Sequence, residues 1–212
     1  MARKPADQSV SRDDIIGAAA DVLKDNGYDA TTMKDIASRV NLTAASLYHH
    51  FKNKDFLLLA VLETGLQQAI DTIEPIMKSD INAAEKLKQM VETHVHRITQ
   101  NPGYGAAMVF EIRSLLNATS AGRGNGNKQE YLERRDKFFQ QRDYFEKMFR
   151  ETIKAGIASG EFRQVDAAIV AKSMLGAQNW VGVWYKEGGR LTGESIATII
   201  VDTFLTSLLA KS

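Results

Sequence analysis

The chain has 212 residues and a formal net charge of +1, because 27 Lys and Arg residues face 26 Asp and Glu residues. This overall charge indicates no particular partner, and the absence of cysteine excludes disulfide bonds and thiol chemistry. Over residues 1–60, eight Lys and Arg residues balance eight Asp residues, which excludes a broadly basic surface for nucleic acid there. Apolar runs are short and the N-terminus lacks the apolar segment of a signal peptide. We therefore expect a soluble cytoplasmic protein of one or two domains.

Residues 1–10 are predicted to form a flexible arm that carries Arg3 and Lys4. Both a disordered tail and an arm that follows the minor groove of DNA fit this composition. Ser11 is a good N-cap for a first helix, which is expected to end at Gly27. The apolar stripe of this helix consists of Ile15, Ile16, Ala19, Val22 and Leu23.

Residues 32–51 predict two short helices joined by a tight turn. Thr32 and Asp35 have the spacing of a capping box, so a helix is expected to begin at Met33. Asn41 tolerates the left-handed conformation that a sharp turn requires, and Thr43 can cap a second helix that runs to about residue 50. This arrangement is typical of a helix–turn–helix, whose second helix lies in the major groove of DNA.

The predicted second helix has one apolar and one short, polar face. Leu47 and Phe51 are spaced to point inward, and the opposite face carries small or polar side chains that permit close approach to base edges. Within residues 31–54, four Lys and Arg residues against one Asp give a local charge of +3, which suits a few placed phosphate contacts. On pattern alone, a helical hairpin inside an ordinary all-α core remains an alternative.

The residue types at fixed positions in this segment are more specific than its helical periodicity. Thr31-Thr32-x-x-x-Ile-Ala is followed by Leu42-Thr-x-x-Ser-Leu-Tyr-x-His-Phe-x-Asn-Lys-x-x-Leu-Leu, which closely resembles the DNA-binding domain of TetR-family transcriptional repressors. The match runs from about Ser11 through Leu58. The resemblance implies that seven residues touch bases or phosphates, namely Lys34, Thr43, Ala44, Ala45, Ser46, Tyr48 and His49. It also implies that three residues clamp the DNA backbone, namely Thr32, His50 and Lys54.

The rest of the chain also predicts helices, and we find no convincing strand pattern. A long helix should start after Asn53 and end or bend at Pro75. Further helices are expected over 82–100, 104–116, 128–159, 166–187 and 193–211, with a flexible loop over 118–127. The predicted fold is all-α, with a three-helix helix–turn–helix domain over 11–58 and a helical effector-binding and dimerisation domain over 59–212.

No arrangement of residues supports catalysis or a metal site. His94 and His96 are two positions apart and therefore diverge by about 200° on a helix, so a core or surface pair is favoured over a metal site. The glycines at 122, 124 and 126 lack a preceding strand and the Lys-Ser/Thr ending of a phosphate loop. We expect neither enzymatic activity nor a cofactor.

Charged residues on apolar helix faces are the candidates for effector binding. Arg142 lies on an apolar stripe with Arg135 upstream, and Glu111 lies between apolar neighbours on another helix. A structural Glu111–Arg142 ion pair and a ligand-facing arginine are both open. In the second case an anionic effector group would meet Arg135 or Arg142, with the remaining contacts made by Phe110, Phe145, Phe149, Asn179 and Trp180. An aromatic stripe can equally belong to a core or an interface.

The C-terminal half carries a second resemblance. The segments Arg142-Asp143, Phe149-Arg150, Gly160-Glu161-Phe162, Asn179-Trp180, Trp184-Tyr185 and Gly188-Gly189 look like those of TetR-type regulators of lipid and sterol catabolism. The inducers that this resemblance implies are acyl-CoA thioesters. The last two helices are the expected homodimer interface, because apolar residues cover more of the final helix than one core face requires. A two-fold dimer would bind a palindromic operator.

The sequence therefore predicts a repressor that binds a palindromic operator as a homodimer and is released by a small-molecule effector, with an acyl-CoA as the candidate. Such a protein would act in the cytoplasm, at the nucleoid. The alternative is a helical ligand-binding or adaptor protein whose helix–turn–helix is purely structural.

Overall fold

The computed structural model describes residues 10–117 and 125–210. This part of the chain is all-α and contains no strand; its only β pairing is an isolated antiparallel bridge between Phe162 and Leu209. The helices, in chain order, are α1 (Arg12–Ala30), α2 (Met33–Arg39), α3 (Ala44–His50), α4 (Lys54–Lys78), α5 (Ala83–Gln100), α6 (Pro102–Phe110), α7 (Ile112–Asn117), α8 (Asn125–Ser159), α9 (Ala167–Trp184) and α10 (Gly193–Leu208). The predicted fold class is confirmed.

The helix–turn–helix begins and turns at the predicted residues. The Thr32 hydroxyl accepts from the Asp35 N–H at 3.2 Å, while the Asp35 carboxylate accepts from the Thr32 N–H at 2.8 Å, which completes the capping box. Asn41 adopts a φ of 57°, the left-handed conformation expected of the turn. The Thr43 hydroxyl accepts from the Ser46 N–H at 3.0 Å and caps α3.

Helix α1 continues past the residue at which it was predicted to end. Gly27 leaves the helical region with a φ of 74°, and one more turn then reaches Ala30. The Thr31 N–H closes that turn on the carbonyl oxygens of Gly27 and Tyr28, each at 3.2 Å. The helix therefore breaks at Gly27 without stopping there, because glycine adopts this conformation without steric cost.

Helix α4 follows the helix–turn–helix and packs against α1, α5 and α8, and it passes through Pro75 to Lys78. Of the two outcomes predicted at Pro75, an end or a bend, the end of the helix does not occur. Proline removes one N–H donor, but only three residues of the helix follow it, so few main-chain hydrogen bonds depend on this position. By length and composition α4 could cross a membrane; in this fold its apolar residues are buried in the protein core.

Boundaries of the helices from α6 onward also differ from the predictions. The segment 104–116 forms two helices, α6 and α7, which meet at Glu111, and α6 already begins at Pro102 in the favourable first position. Helix α8 begins at residue 125, so it takes up the end of the predicted loop, whose residues 118–124 lie outside the described part. Helices α9 and α10 each end about one turn before their predicted ends.

Helix α6 lies between α1 and α9 and packs closely against both. A Cβ atom added at Gly103 would lie 2.8 Å from the carbonyl carbon of Ala20 in α1. On the other side, a Cβ atom at Gly182 of α9 would lie 2.9 Å from the Cα atom of Gly105. These backbone contacts leave no room for a side chain at either glycine, so α6 packs closely against α1 and α9.

Candidate DNA-binding surface and effector cavity

Helix α3 presents one face to solvent and buries the other. Leu47 is fully buried and Phe51, which follows the helix, is 4 % exposed, whereas Tyr48 on the outer face is 54 % exposed. The outer face is free of bulky aliphatic side chains, so a nucleic-acid backbone could approach it closely. Of the other candidate DNA-contacting residues in α3 and its cap, Thr43, Ala45, His49 and His50 are exposed and Ala44 and Ser46 are half-buried.

The candidate residues outside α3 occupy two different environments. Lys34 on α2 is exposed, as is Thr32, whose hydroxyl serves the capping box. Lys54 at the start of α4 is half-buried and directed inward. Its ammonium donates to the carbonyl oxygens of Tyr28 at 2.7 Å and Thr31 at 2.9 Å, and it lies 4.1 Å from the centre of the Tyr28 ring.

A cavity of about 580 Å³ opens within the second domain, between α4, α5, α6, α8 and α9. Its wall is apolar over most of its area and carries charged residues on α5, α8 and α9. The apolar part includes Leu66, Ile98, Met108, Val109, Phe145 and Leu175, and the charged part consists of Arg97, Arg142, Asp143, Glu146 and Lys172. Such a lining suits a ligand with an apolar portion and an anionic group.

A buried histidine places a polar group in the apolar wall of the cavity. His94 is 6 % exposed, and burial lowers the pKa of its imidazole to about 4, so the ring is neutral at pH 7. Its Nε2 atom lies 3.2 Å from the Asn179 Oδ1 atom, so a neutral ring protonated at Nε2 donates to that oxygen. The ring also packs against Phe145, with 5.2 Å between the ring centres.

The three cationic side chains at the cavity differ in the protein groups that they contact. The Lys172 ammonium lies 2.6 Å from the Glu146 carboxylate, and the Arg97 guanidinium donates to the Gln68 amide oxygen at 2.9 Å. Arg142 is exposed, and within residues 10–117 and 125–210 its guanidinium makes no hydrogen bond or ion pair. Among the described residues, Arg142 is thus the cavity arginine whose donors are all available to a ligand.

Four of the seven predicted effector residues line this cavity, namely Arg142, Phe145, Asn179 and Trp180. The other three lie outside it. Phe110 is 52 % exposed and packs edge-on against Trp180, Phe149 is buried behind Phe145, and Arg135 pairs with its neighbour Asp136 at 3.0 Å. The separation follows from the length of α8, because Arg135 lies about two turns from Arg142 along the helix axis.

Of the two alternatives left open for Glu111 and Arg142, the ion pair does not form within the described residues. The buried carboxylate of Glu111 accepts from the Tyr28 N–H at 3.0 Å and from the Ser114 hydroxyl at 3.2 Å. Sequence reasoning also missed His94, Arg97, Tyr104 and Lys172 as cavity residues. The apolar periodicity of α5 places His94 on the buried face, and that signal was available; the position of Lys172 depends on how α8 and α9 pack.

An exposed recognition helix on a helix–turn–helix, joined by α4 to an all-helical domain with an internal cavity, defines the class of ligand-binding DNA-binding regulators. Two family models match the chain: "Bacterial regulatory proteins, tetR family" over residues 15–61 and "Tetracyclin repressor-like, C-terminal domain" over residues 127–208. The chain belongs to the TetR family of transcriptional regulators. The resemblance predicted from residues 11–58 is confirmed.

Known relatives agree with this assignment over nearly the full chain. The HTH-type transcriptional repressor KstR2 of Mycolicibacterium smegmatis is 28 % identical over 194 residues, which cover 91 % of this chain and 87 % of that protein. The structure of KstR2 from Mycobacterium tuberculosis shares the fold, with a TM-score of 0.79, 22 % identity and coverage of 98 % and 100 %. AibR in complex with isovaleryl coenzyme A and operator DNA superposes with a TM-score of 0.70, at 26 % identity and coverage of 91 % and 96 %.

Proposed function

We propose that the protein is a transcriptional repressor that binds a palindromic operator as a homodimer and is released by an acyl-CoA thioester. In this proposal, residues 11–58 bind DNA in the cytoplasm, at the nucleoid, and residues 59–212 bind the effector and the second subunit. The observation that carries it is the combination of an exposed α3 face with a cavity that offers both apolar surface and an available arginine.

The DNA contacts divide by their chemistry. Tyr48 and His49 offer polar groups at the outer face of α3, and Ala44 and Ala45 leave room for thymine methyl groups. Lys34 supplies an exposed positive charge for a phosphate. Lys54 supports DNA binding indirectly, because its ammonium donates to main-chain carbonyl oxygens and holds the end of α1 in place.

The apolar outer surface of α9 and α10 supports a homodimer. Ile169 is 60 % exposed, Ile199 is 52 % exposed and Trp184 is 47 % exposed, which is unusual for large apolar side chains on a monomer surface. A two-fold contact there would place two recognition helices on the same side of the dimer. The operator would then consist of two inverted half-sites.

The cavity supports the choice of an acyl thioester. A volume of about 580 Å³ suits an acyl chain with part of its carrier, so the nucleotide of a CoA ester would lie outside. Arg142 on the exposed edge of the cavity can bind phosphate oxygens, and Lys172 can do so by exchanging Glu146 for the ligand. The complex of the similar protein AibR with isovaleryl coenzyme A and operator DNA supports the same ligand class.

The first experiment tests DNA binding. Operators are selected from random duplexes, and binding is measured over a series of salt concentrations with wild type, Tyr48→Ala and, as the matched control, Tyr144→Ala on α8. We expect saturable binding that weakens with salt, is lost in Tyr48→Ala and is retained in Tyr144→Ala. Failure to enrich any inverted repeat would refute the operator proposal and favour the adaptor alternative.

The second experiment tests the effector. Binding of isovaleryl-CoA and longer acyl-CoA esters is measured with wild type, Arg142→Ala and the control Arg135→Ala on the same helix. We expect Arg142→Ala to weaken binding by at least tenfold and Arg135→Ala to leave it unchanged. Equal effects of the two substitutions would contradict the assignment of the anion site.

A further inference from the structure

We propose that Glu111 is a positioning residue that fixes the first helix of the DNA-binding domain to the wall of the cavity, so that the effector response passes through α6 and α1. The inference rests on the proposed function and names the route of regulation. The observation behind it is a hydrogen bond between a buried carboxylate at the end of α6 and a main-chain N–H at the end of α1.

The Glu111 carboxylate is buried without a cation. Glu111 is 5 % exposed, and among residues 10–117 and 125–210 its partners are the Tyr28 N–H at 3.0 Å and the Ser114 hydroxyl at 3.2 Å. A buried carboxylate is costly unless donors are held in place for it. A glutamate here therefore fixes α6 and Tyr28 in one relative position more strictly than an apolar contact would.

The Tyr28 N–H is available because the helix breaks one residue earlier. Gly27, with a φ of 74°, interrupts α1 and turns the next amide toward Glu111, whose Oε1 atom lies 4.0 Å from the position of a Cβ at Gly27. Tyr28 is held on its other sides by α4. Its carbonyl oxygen accepts from Lys54, its hydroxyl donates to Asp55, and its ring makes a cation–π contact with the Lys54 ammonium.

Tyr28 is therefore a junction between α6, α4 and the helix–turn–helix. Three residues later, Thr31 is buried, accepts a hydrogen bond from Lys54 and donates its hydroxyl to the Gly27 carbonyl oxygen at 2.7 Å. The next residue is Thr32, the N-cap of α2. A shift of Tyr28 would consequently move the start of α2, and the recognition helix with it.

Helix α6 can transmit such a shift because it forms the cavity wall directly upstream of Glu111. Tyr104, Gly105 and Met108 line the cavity within two turns of Glu111. The close contacts of Gly103 with α1 and of Gly105 with α9 leave no gap that could absorb a displacement. A ligand that pushes Met108 or Tyr104 therefore moves α6 against α1. This route is separate from a tilt of α4.

The first test uses the free protein and needs neither operator nor effector. Hydrogen exchange is compared for wild type, Glu111→Ala, Glu111→Asp, whose shorter side chain withdraws the carboxylate from Tyr28, and Glu111→Gln, which keeps an acceptor. We expect at least fivefold faster exchange over residues 27–50 in the first two variants, with helices α5 and α8 unchanged and Glu111→Gln close to wild type. Uniformly faster exchange, or no change, would overturn the proposal.

The second test measures coupling to DNA. Trp180 lines the cavity and contacts Phe110, the residue before Glu111. In a Trp184→Phe background, which keeps an aromatic ring at the proposed dimer surface and is first shown by sedimentation to remain a dimer, Trp180 fluorescence reports on the wall next to the junction. Because coupling is reciprocal, binding of the selected operator should change Trp180 emission. We expect Glu111→Ala to bind operator but lose at least four-fifths of that change, and the control Leu116→Ala, at an exposed position of α7, to keep it.

The two experiments separate this inference from the proposed function. A wild-type protein that binds no DNA refutes the operator proposal, while the exchange pattern over residues 27–50 still decides the role of Glu111. A protein that binds operator with the same Trp180 response in wild type and Glu111→Ala refutes the inference alone.

Discussion

Replacing Lys54 with methionine tests whether this lysine supports the DNA-binding domain or contacts phosphate. The substitution removes an ammonium that lies 2.7 Å and 2.9 Å from the carbonyl oxygens of Tyr28 and Thr31. Hydrogen bonds from charged donors contribute about 1.5–3 kcal/mol each, and a cation over an aromatic ring adds about 0.5–1 kcal/mol. Lys54 is half-buried, so water compensates part of the loss and we expect destabilisation of about 2–3 kcal/mol.

For a chain of this length, that loss corresponds to a decrease of roughly 4–12 °C in the midpoint of thermal unfolding at fixed protein concentration. Operator binding is measured over the same salt series for both proteins. If the ammonium stays on the carbonyl oxygens, the slope of log affinity against log salt concentration does not change. The control Lys34→Met, which removes an exposed lysine, should reduce that slope by about 0.9 per protomer and leave the midpoint unchanged.

The reasoning would be refuted by the opposite pattern for Lys54→Met. An unchanged unfolding midpoint, together with a salt slope reduced by about 0.9 per protomer, would mean that the ammonium leaves Tyr28 and Thr31 to bind phosphate. Both measurements are needed, because a destabilised domain can also bind DNA weakly without any lost phosphate contact.

Three further predictions concern glycine packing, a buried histidine and the dimer surface. Gly182→Ala should destabilise the protein by about 1–3 kcal/mol in urea unfolding, because its Cβ would lie 2.9 Å from backbone atoms of α6, whereas Gly17→Ala, with open space around the Cβ, should stabilise it by about 0.5–1 kcal/mol. Burial in the folded protein lowers the pKa of His94 to about 4 from an ordinary value of 6.5. Below pH 6.5 the unfolded chain therefore binds a proton at His94 that the folded protein does not bind. The free energy of unfolding is unaffected by His94 above pH 6.5 and decreases by about 3 kcal/mol as the pH falls toward 4. Urea midpoints from pH 7 to 4.5 should therefore fall less in His94→Gln than in wild type, and the exposed control His96→Gln should match wild type. Ile199→Glu should yield monomers in analytical ultracentrifugation and weaken operator binding by at least tenfold, and an unchanged dimer would exclude α10 from the interface.

The conformation of the helix–turn–helix was predictable because its determinants are local. Thr32, Asp35, Asn41 and Thr43 each act on backbone groups within a few residues. Spacing in the sequence therefore determines the capping box of α2, the left-handed turn, and the cap and exposed face of α3. Lys54 is the exception. A flexible four-carbon side chain can reach phosphate or protein, and only the position of the end of α1 determines which carbonyl oxygens it meets.

The cavity was only half predictable because its wall comes from five helices. The sequence placed Arg142 and Phe145 on one face of α8, but the same face also carries Arg135 and Phe149, and periodicity does not say where along a helix a cavity lies. The packing of α9 against α8 decides that Lys172 joins the cavity. The packing of α6 against α1 decides that Glu111 meets Tyr28 instead of Arg142.

The sequence by itself thus determined the all-α class, the helix–turn–helix and the family, since these depend on caps, turns and periodicity over short distances. The tertiary structure alone decided which charged residues face the cavity and how the cavity is connected to the DNA-binding domain. The physical reason is that hydrogen bonds such as that between Glu111 and Tyr28 join residues 83 positions apart in the chain, where no local preference can specify a partner.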